Sequence, residues 1–187
     1  MSFTRMENGK LEDWLVIGEA VSARQAQMAD VILALLKSLD TMVDGFAVSQ
    51  LQHAIQTATL AHRAGASDEI VVAALCHDIG KAISVENHPA IGAEILRPYV
   101  SDETYHVLRT HQDFQGKHYY ALMGKSPRMR NKYAQEPWYD LACRFTDEWD
   151  QAAFDPAYES LPLEYFEPYV RRQFAKTKSQ LKKNPLT

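Results

Sequence analysis

The amino-acid sequence predicts an all-α fold, a single helical bundle. Three observations predict it. Apolar residues recur at three- and four-residue spacing through most of the chain, and no segment alternates apolar and polar residues as a half-buried strand does. Ser-Asp pairs and glycines punctuate the periodic stretches at helix-length intervals. At 187 residues the chain can bury one substantial core and is short for two. Residues 1–187 are therefore expected to form one domain, with its core over about 22–176 and a peripheral N-terminal segment and basic tail.

The elements follow in order. "SARQAQMADVILALLKSLDTM" (22–42) has helical spacing with Ser22 as a cap, and "DGF" (44–46) interrupts it. "AVSQLQHAIQTATLAHRAG" (47–65) resumes the pattern and stops at Gly65, a natural left-handed C-terminal cap. "SDEIVVAALCHDIGKAI" (67–83) opens on Ser67 and two acids, which favour a helix start, and Gly80 marks its expected end. "PAIGAEILRPYV" (89–100) and "SDETYHVLRTHQ" (101–112) read as two further helices, the second capped by Ser101. The pattern then weakens over 113–137 into a long aromatic and basic connection, of a length that in compact domains is usually functional or partly helical. "WYDLACRFTDEWDQAAF" (138–154) and "LEYFEPYVRRQFAKTKSQ" (163–180) complete a bundle of roughly five to eight helices. The tail "KTKSQLKKN" is expected to be a frayed, solvated end.

Composition narrows the function classes. A hydrophobic content of 46% with 24% charged residues is that of a soluble globular protein. The net charge of -4 gives no reason to expect nucleic acid as a partner. Cys76 and Cys143 lie far apart in apolar segments and read as buried free thiols of a reducing compartment. The N-terminus is polar and no apolar run reaches the length of a membrane span, so a cytoplasmic location is expected.

Chemistry concentrates in the seven histidines. His53 lies mid-helix, and His62, nine residues on, is about 180° around the same helix and faces away. In "ALCHDIGKA" (74–82), His77 and Asp78 are adjacent coordinating groups about 100° apart, able to bridge a site between helices. His88 precedes Pro89 at a helix start. His106 and His111 are five apart and unlike to share a site; His111, opening onto the long connection, is the preferred ligand, and His106 and His118 read as structural or rim residues. Asp147 and Asp150 are three apart on the late helix and share a face, so either or both could close the site. Four imidazoles with carboxylates suit Fe, Mn, Zn or Ni better than Mg or Ca. A shared aspartate could also bridge two ions about 3.5–4 Å apart, and the spacing leaves one ion or two open.

The ordered set His53, His77-Asp78 and a late aspartate resembles the HD-domain superfamily over roughly residues 45–155. His88 in "NHPAIGAEIL" and His111 in "RTHQDFQGK" resemble the two-metal subset of HD domains, which includes phosphodiesterases and mixed-valence diiron oxygenases. "SQLQHAIQTATLAHRAGASDEIVVAALCHDIG" and "WDQAAFDP" look like the phosphonate-catabolic oxygenases. That resemblance favours Asp150 over Asp147 as the last ligand and gives Lys117 in "QGKHYY" a substrate-holding role. Two departures stand out. Val43 and Phe46 occupy positions where those oxygenases carry a gating tyrosine and glutamate, and Lys81 replaces a histidine that contacts substrate in one branch.

The resemblance thus implies an HD-domain bundle with a dinuclear Fe(II)/Fe(III) centre, with Mn or another divalent ion as the alternative. Asp78 would bridge, and His53, His77, His88, His111 and Asp150 would complete the shells. The expected reaction is oxidation of a small, anionic, organophosphonate-like substrate by O2, with Lys81 and Lys117 meeting the anion. The same ligands would serve a metal-dependent phosphohydrolase, in which a metal-bound water attacks phosphorus. An HD scaffold without catalysis is a third reading. The connection 114–133, with Tyr119, Tyr120, Lys125 and Arg128, is the expected specificity element, and oligomeric state is left open.

Overall fold

A computed structural model describes residues 3–175 and 177–178. Among them the fold is all-α, with no strand, as expected. Eight α-helices run in order: α1 (Leu11–Ala26), α2 (Met28–Ser38), α3 (Gln50–Arg63), α4 (Asp68–Cys76), α5 (His88–Leu96), α6 (Asp102–Gln115), α7 (Tyr139–Arg144) and α8 (Leu163–Phe174). None of the described helices is long and apolar enough to cross a membrane.

Helix α4 is the centre of the bundle. Its run Ile70–Cys76 is apolar on every side and buried throughout, as a helix surrounded by other helices must be. It packs against α3, α6 and α8, and α5 lies along α6. Serine caps start three of these helices. Ser49 accepts from Gln52 N at 3.2 Å while Gln52 Oε1 accepts from Ser49 N, a reciprocal capping box for α3. Ser67 and Ser101 accept from Ile70 N and Thr104 N. Glu69, in the first turn of α4, also accepts from the Ser101 backbone N–H and hydroxyl, tying the starts of α4 and α6 together.

Several boundaries differ from the sequence reading. Ser22 is not a cap; it lies inside α1, which starts at Leu11, where the Asp13 carboxylate accepts from Lys10 N at 3.1 Å. The break falls instead at Gln27, between α1 and α2. Helix α4 ends at Cys76 rather than Gly80, and His77-Asp78 leads into a 3₁₀ turn over Ile79–Ala82. Gly80 serves close approach: a Cβ there would stand 2.2 Å from the His88 carbonyl oxygen. The long connection holds 3₁₀ turns at Gly116–His118, Tyr120–Met123 and Met129–Tyr133. After α7 the chain widens into a π-helical turn, Phe145–Asp150. The end of the basic tail, 179–187, lies outside the described residues.

Candidate metal centre

Four histidines and two aspartates from five parts of the fold meet at the buried end of α4. His53 comes from α3, His77 and Asp78 from the end of α4, His88 from the start of α5, His111 from the last turns of α6, and Asp150 from the π-helical turn. All six are buried, none more than 5% exposed. Buried histidines and acids in such density need partners, because burial without them costs several kcal/mol each, roughly 2–7 for an unpaired polar group.

Each imidazole is held by its Nδ1. His53 Nδ1 lies 2.9 Å from the Ala153 carbonyl, and His77, His88 and His111 reach the carbonyls of Ala74, Val85 and Leu108 at 2.7–2.8 Å. A carbonyl only accepts, so every Nδ1 carries the proton and every Nε2 is directed at the centre. This orientation is the one metal-ligating histidines require.

The carboxylate of Asp78 sits between two pairs of these rings. Its Oδ2 is 3.6 Å from His53 Nε2 and 3.4 Å from His77 Nε2. Its Oδ1 is 3.0 Å from His88 Nε2 and 3.4 Å from His111 Nε2. Asp150 joins the first pair, with Oδ1 at 3.2 and 3.5 Å from His53 and His77. Two donor sets are tight enough for one ion each, His53–His77–Asp150 and His77–Asp78–His111. His77 belongs to both by distance; His88 joins the second set through Asp78 Oδ1.

Two oxygens test whether the cluster suits a cation. Asp78 Oδ1 and Asp150 Oδ2 are buried and accept no hydrogen bond, a costly state for a carboxylate oxygen unless a cation satisfies it. The donor chemistry therefore fits metal ions. Electrostatics agree. Burial alone would push the His77 imidazolium down, yet the facing carboxylates of Asp78 and Asp150 raise it to about 10. Burial would raise both aspartates, but the imidazoles, His77 foremost, hold them below the usual carboxylate range. His111 is pushed down by burial and by the positive His77, against the pull of Asp78. A proton on His77, 3.1 Å from His53 Nε2, thus stands where a cation would.

Surrounding residues shape the two sides differently. Phe154 stacks on His53 with centroids 4.2 Å apart, and Gln115 donates to Asp150 Oδ1 at 2.8 Å. Both also line a cavity of about 960 Å³ with Asp78, His88, Lys81, Lys125, Tyr119 and Tyr120, whereas His53 and Asp150 do not reach its wall. Lys81 Nζ bonds Asp78 Oδ2 at 2.6 Å and Gln50 Oε1 at 2.9 Å. Lys117 bonds Asp147 at 3.1 Å and is not among the residues lining the cavity. Asp147 also binds His118 and Arg130 and does not join the cluster. The two aspartates were expected on one face; the π-helical turn changes the angular step between them and leaves only Asp150 inward.

The remaining histidines have other partners. His62 meets the Tyr165 hydroxyl at 3.0 Å and His106 stacks on Trp138. Both cysteines are free thiols; Cys76 is buried, whereas Cys143 is partly exposed, against the expectation of two buried ones. Gln50, Gln115 and Phe154 were not singled out in the sequence, where only contact with the ligands distinguishes them from other glutamines and phenylalanines.

An all-α bundle with a histidine–aspartate cluster at the end of its central helix is the architecture of one class of metal-dependent proteins. The family model for the HD domain matches residues 51–154, more than half the chain, and the protein belongs to that family. No curated protein matches it significantly.

Proposed function

We propose that this protein is a dinuclear iron oxygenase that oxidises a small anionic substrate with dioxygen. The position of Asp78 carries the reading: one buried carboxylate turns each of its oxygens to a different pair of imidazoles. His53, His77 and Asp150 would hold one ion, His88 and His111 the other, with Asp78 shared. Four imidazoles and two carboxylates suit iron or manganese over magnesium or calcium. When bound, the pair would supply Lewis acidity toward a substrate hydroxyl and electrons for dioxygen.

The chain's own residues divide the remaining work. Phe154 and Gln115 are cavity-wall residues that stand against His53 and Asp150, which do not themselves line the cavity. The His88 side faces the cavity, so substrate enters there. Lys81 holds the shared carboxylate in place and brings positive charge to the cavity wall, and Lys125 brings a second charge to the same wall. Lys117, at about half exposure, would reach substrate only by leaving Asp147. The resemblance of "SQLQHAIQTATLAHRAG" and "WDQAAFDP" to phosphonate-cleaving oxygenases supports a substrate with an acidic group beside a hydroxylated carbon.

Phosphoester hydrolysis is the second reading, favoured by the position of Asp78 and His88 in the wall of the cavity. Metal analysis with electron paramagnetic resonance tests the choice. Two irons per chain with a coupled Fe(II)/Fe(III) signal, and oxygen uptake with hydroxylated phosphonates, are expected. Two redox-inert ions with turnover of an aryl phosphate would replace the oxygenase by the hydrolase. Melting unchanged by EDTA, with no bound metal, would leave a scaffold. Asp78→Ala should abolish binding of both ions while His62→Ala leaves it intact.

A further inference from the structure

Helix α1 has no fully buried residue, and its Trp14 packs on Phe3 with ring centroids 5.7 Å apart. Leu11, Leu15 and Val21 are 71%, 60% and 60% exposed, and Trp14 is exposed beside them. An uncovered apolar stripe on a helix calls for a partner. The chain cannot supply that partner by folding α1 back. Only Gln27 separates α1 from α2, whereas helical hairpins need a loop of about 2–5 residues.

Four other exposed apolar side chains lie in the wall of the metal-site cavity or close to a wall residue along the chain. Phe46 and Val85 stand in its wall, 46% and 56% exposed. Leu122 and Met123 follow wall residue Tyr120 and are 90% and 61% exposed. Charge separates the two surfaces in a complementary way. Residues 7–19 hold Glu7, Glu12, Asp13 and Glu19 against Lys10 alone. Residues 116–135 hold Lys117, Lys125, Arg128, Arg130 and Lys132 and no acid. Among the described residues Glu12 and Glu19 have no ion-pair partner, and neither Lys125 nor Arg128 pairs with a carboxylate.

We propose that the protein is a dimer in which α1 of each copy lies across the cavity mouth of the other. The apolar stripe of α1 covers Phe46, Leu122 and Met123, and its acids face Lys125 and Arg128. Because the exchange is reciprocal it closes on a two-fold axis. The second copy completes the rim of the cavity, so each site is finished only in the assembly.

Sedimentation equilibrium of the full chain, at micromolar to sub-millimolar concentration, tests this. The wild type should show twice the chain mass, and Leu15→Glu and Leu122→Glu should each reduce it to one chain mass with unchanged far-UV circular dichroism. Cysteines placed at 15 in one sample and 122 in another, in a Cys143→Ser background, should form a disulfide between copies on mixing. A monomeric wild type overturns the proposal. So does a dimer that Leu15→Glu dissociates and Leu122→Glu leaves intact, because α1 would then pair with α1. Absence of the mixed disulfide in a dimeric sample overturns it as well.

Discussion

Gly80→Ala is the sharpest probe of how the fold builds its metal site. A Cβ at residue 80 would stand 2.2 Å from the His88 carbonyl oxygen and 2.9 Å from its Cα. Both are backbone atoms, so no side chain can swing aside. Restoring even a 3.0 Å contact from 2.2 Å requires the start of α5 to retreat by at least 0.8 Å. Metal–ligand distances tolerate only about ±0.2 Å, and His88 Nε2 now stands 3.0 Å from Asp78 Oδ1. The retreat is several times that tolerance. Overpacking of this kind costs about 1–3 kcal/mol, and for a chain of this size each kcal/mol lowers the melting temperature by about 2–4 °C. The expected variant therefore melts about 2–12 °C lower and carries one ion per chain in place of two, retaining the His53–Asp150 ion. Calorimetry and metal quantification read both effects. Gly18→Ala is the control, since its Cβ meets nothing within 4 Å and α1 should be unharmed. Two ions at wild-type affinity and an unchanged melting temperature in Gly80→Ala would refute the claim that this close approach seats His88.

Three further outcomes follow from the charged and buried groups. Loading metal must expel the proton on His77, which Asp78 and Asp150 hold against burial by raising the imidazolium to about 10; calorimetric binding enthalpies should vary with buffer ionisation enthalpy, and affinity should rise with pH through neutrality. Burial pushes the Cys76 thiol up to about 12, so a thiol reagent should modify only Cys143 in the native protein and both cysteines after unfolding. Because that folded value is raised, its contribution to stability is complete below the ordinary thiol range near 9 and is lost as pH climbs toward 12. Burial would raise Asp147, but Arg130, Lys117 and His118 lower it. Its contribution is present above the ordinary carboxylate range and lost as pH falls through the lowered folded value, so Asp147→Asn should speed proteolysis between residues 117 and 133 at neutral pH by a margin that shrinks in acid.

What could be read from the sequence is what local chemistry dictates. Ser67 and Ser101 announce their helices because a hydroxyl placed before two acids satisfies free N–H groups wherever it occurs. The uninterrupted apolar run 70–76 announces a central helix. Ser22 misled because a serine inside a helix and one at its start are spelled alike; Asp13, reaching back to Lys10 N, does the capping. The π-helical turn left no mark, since an i→i+5 bond needs no particular residue, and so Asp147 and Asp150 looked equivalent. The gathering of the other five donors around Asp78 depends on how α3, α5, α6 and the π-helical turn pack together, which spacing alone cannot express.

The four carbonyls that hold the imidazoles belong to Ala74, Val85, Leu108 and Ala153, residues whose side chains play no part in the bond. The layer that orients the ligands is therefore invisible to point mutation at those positions: exchanging one small or aliphatic residue for another leaves the acceptor in place. Drift in the coding sequence can delete a histidine, but it can misalign one only by moving the main chain. A site aimed in this way is inherited with the fold itself, while the cavity wall beside it, made of side chains such as Lys81, Tyr119 and Lys125, stays open to change.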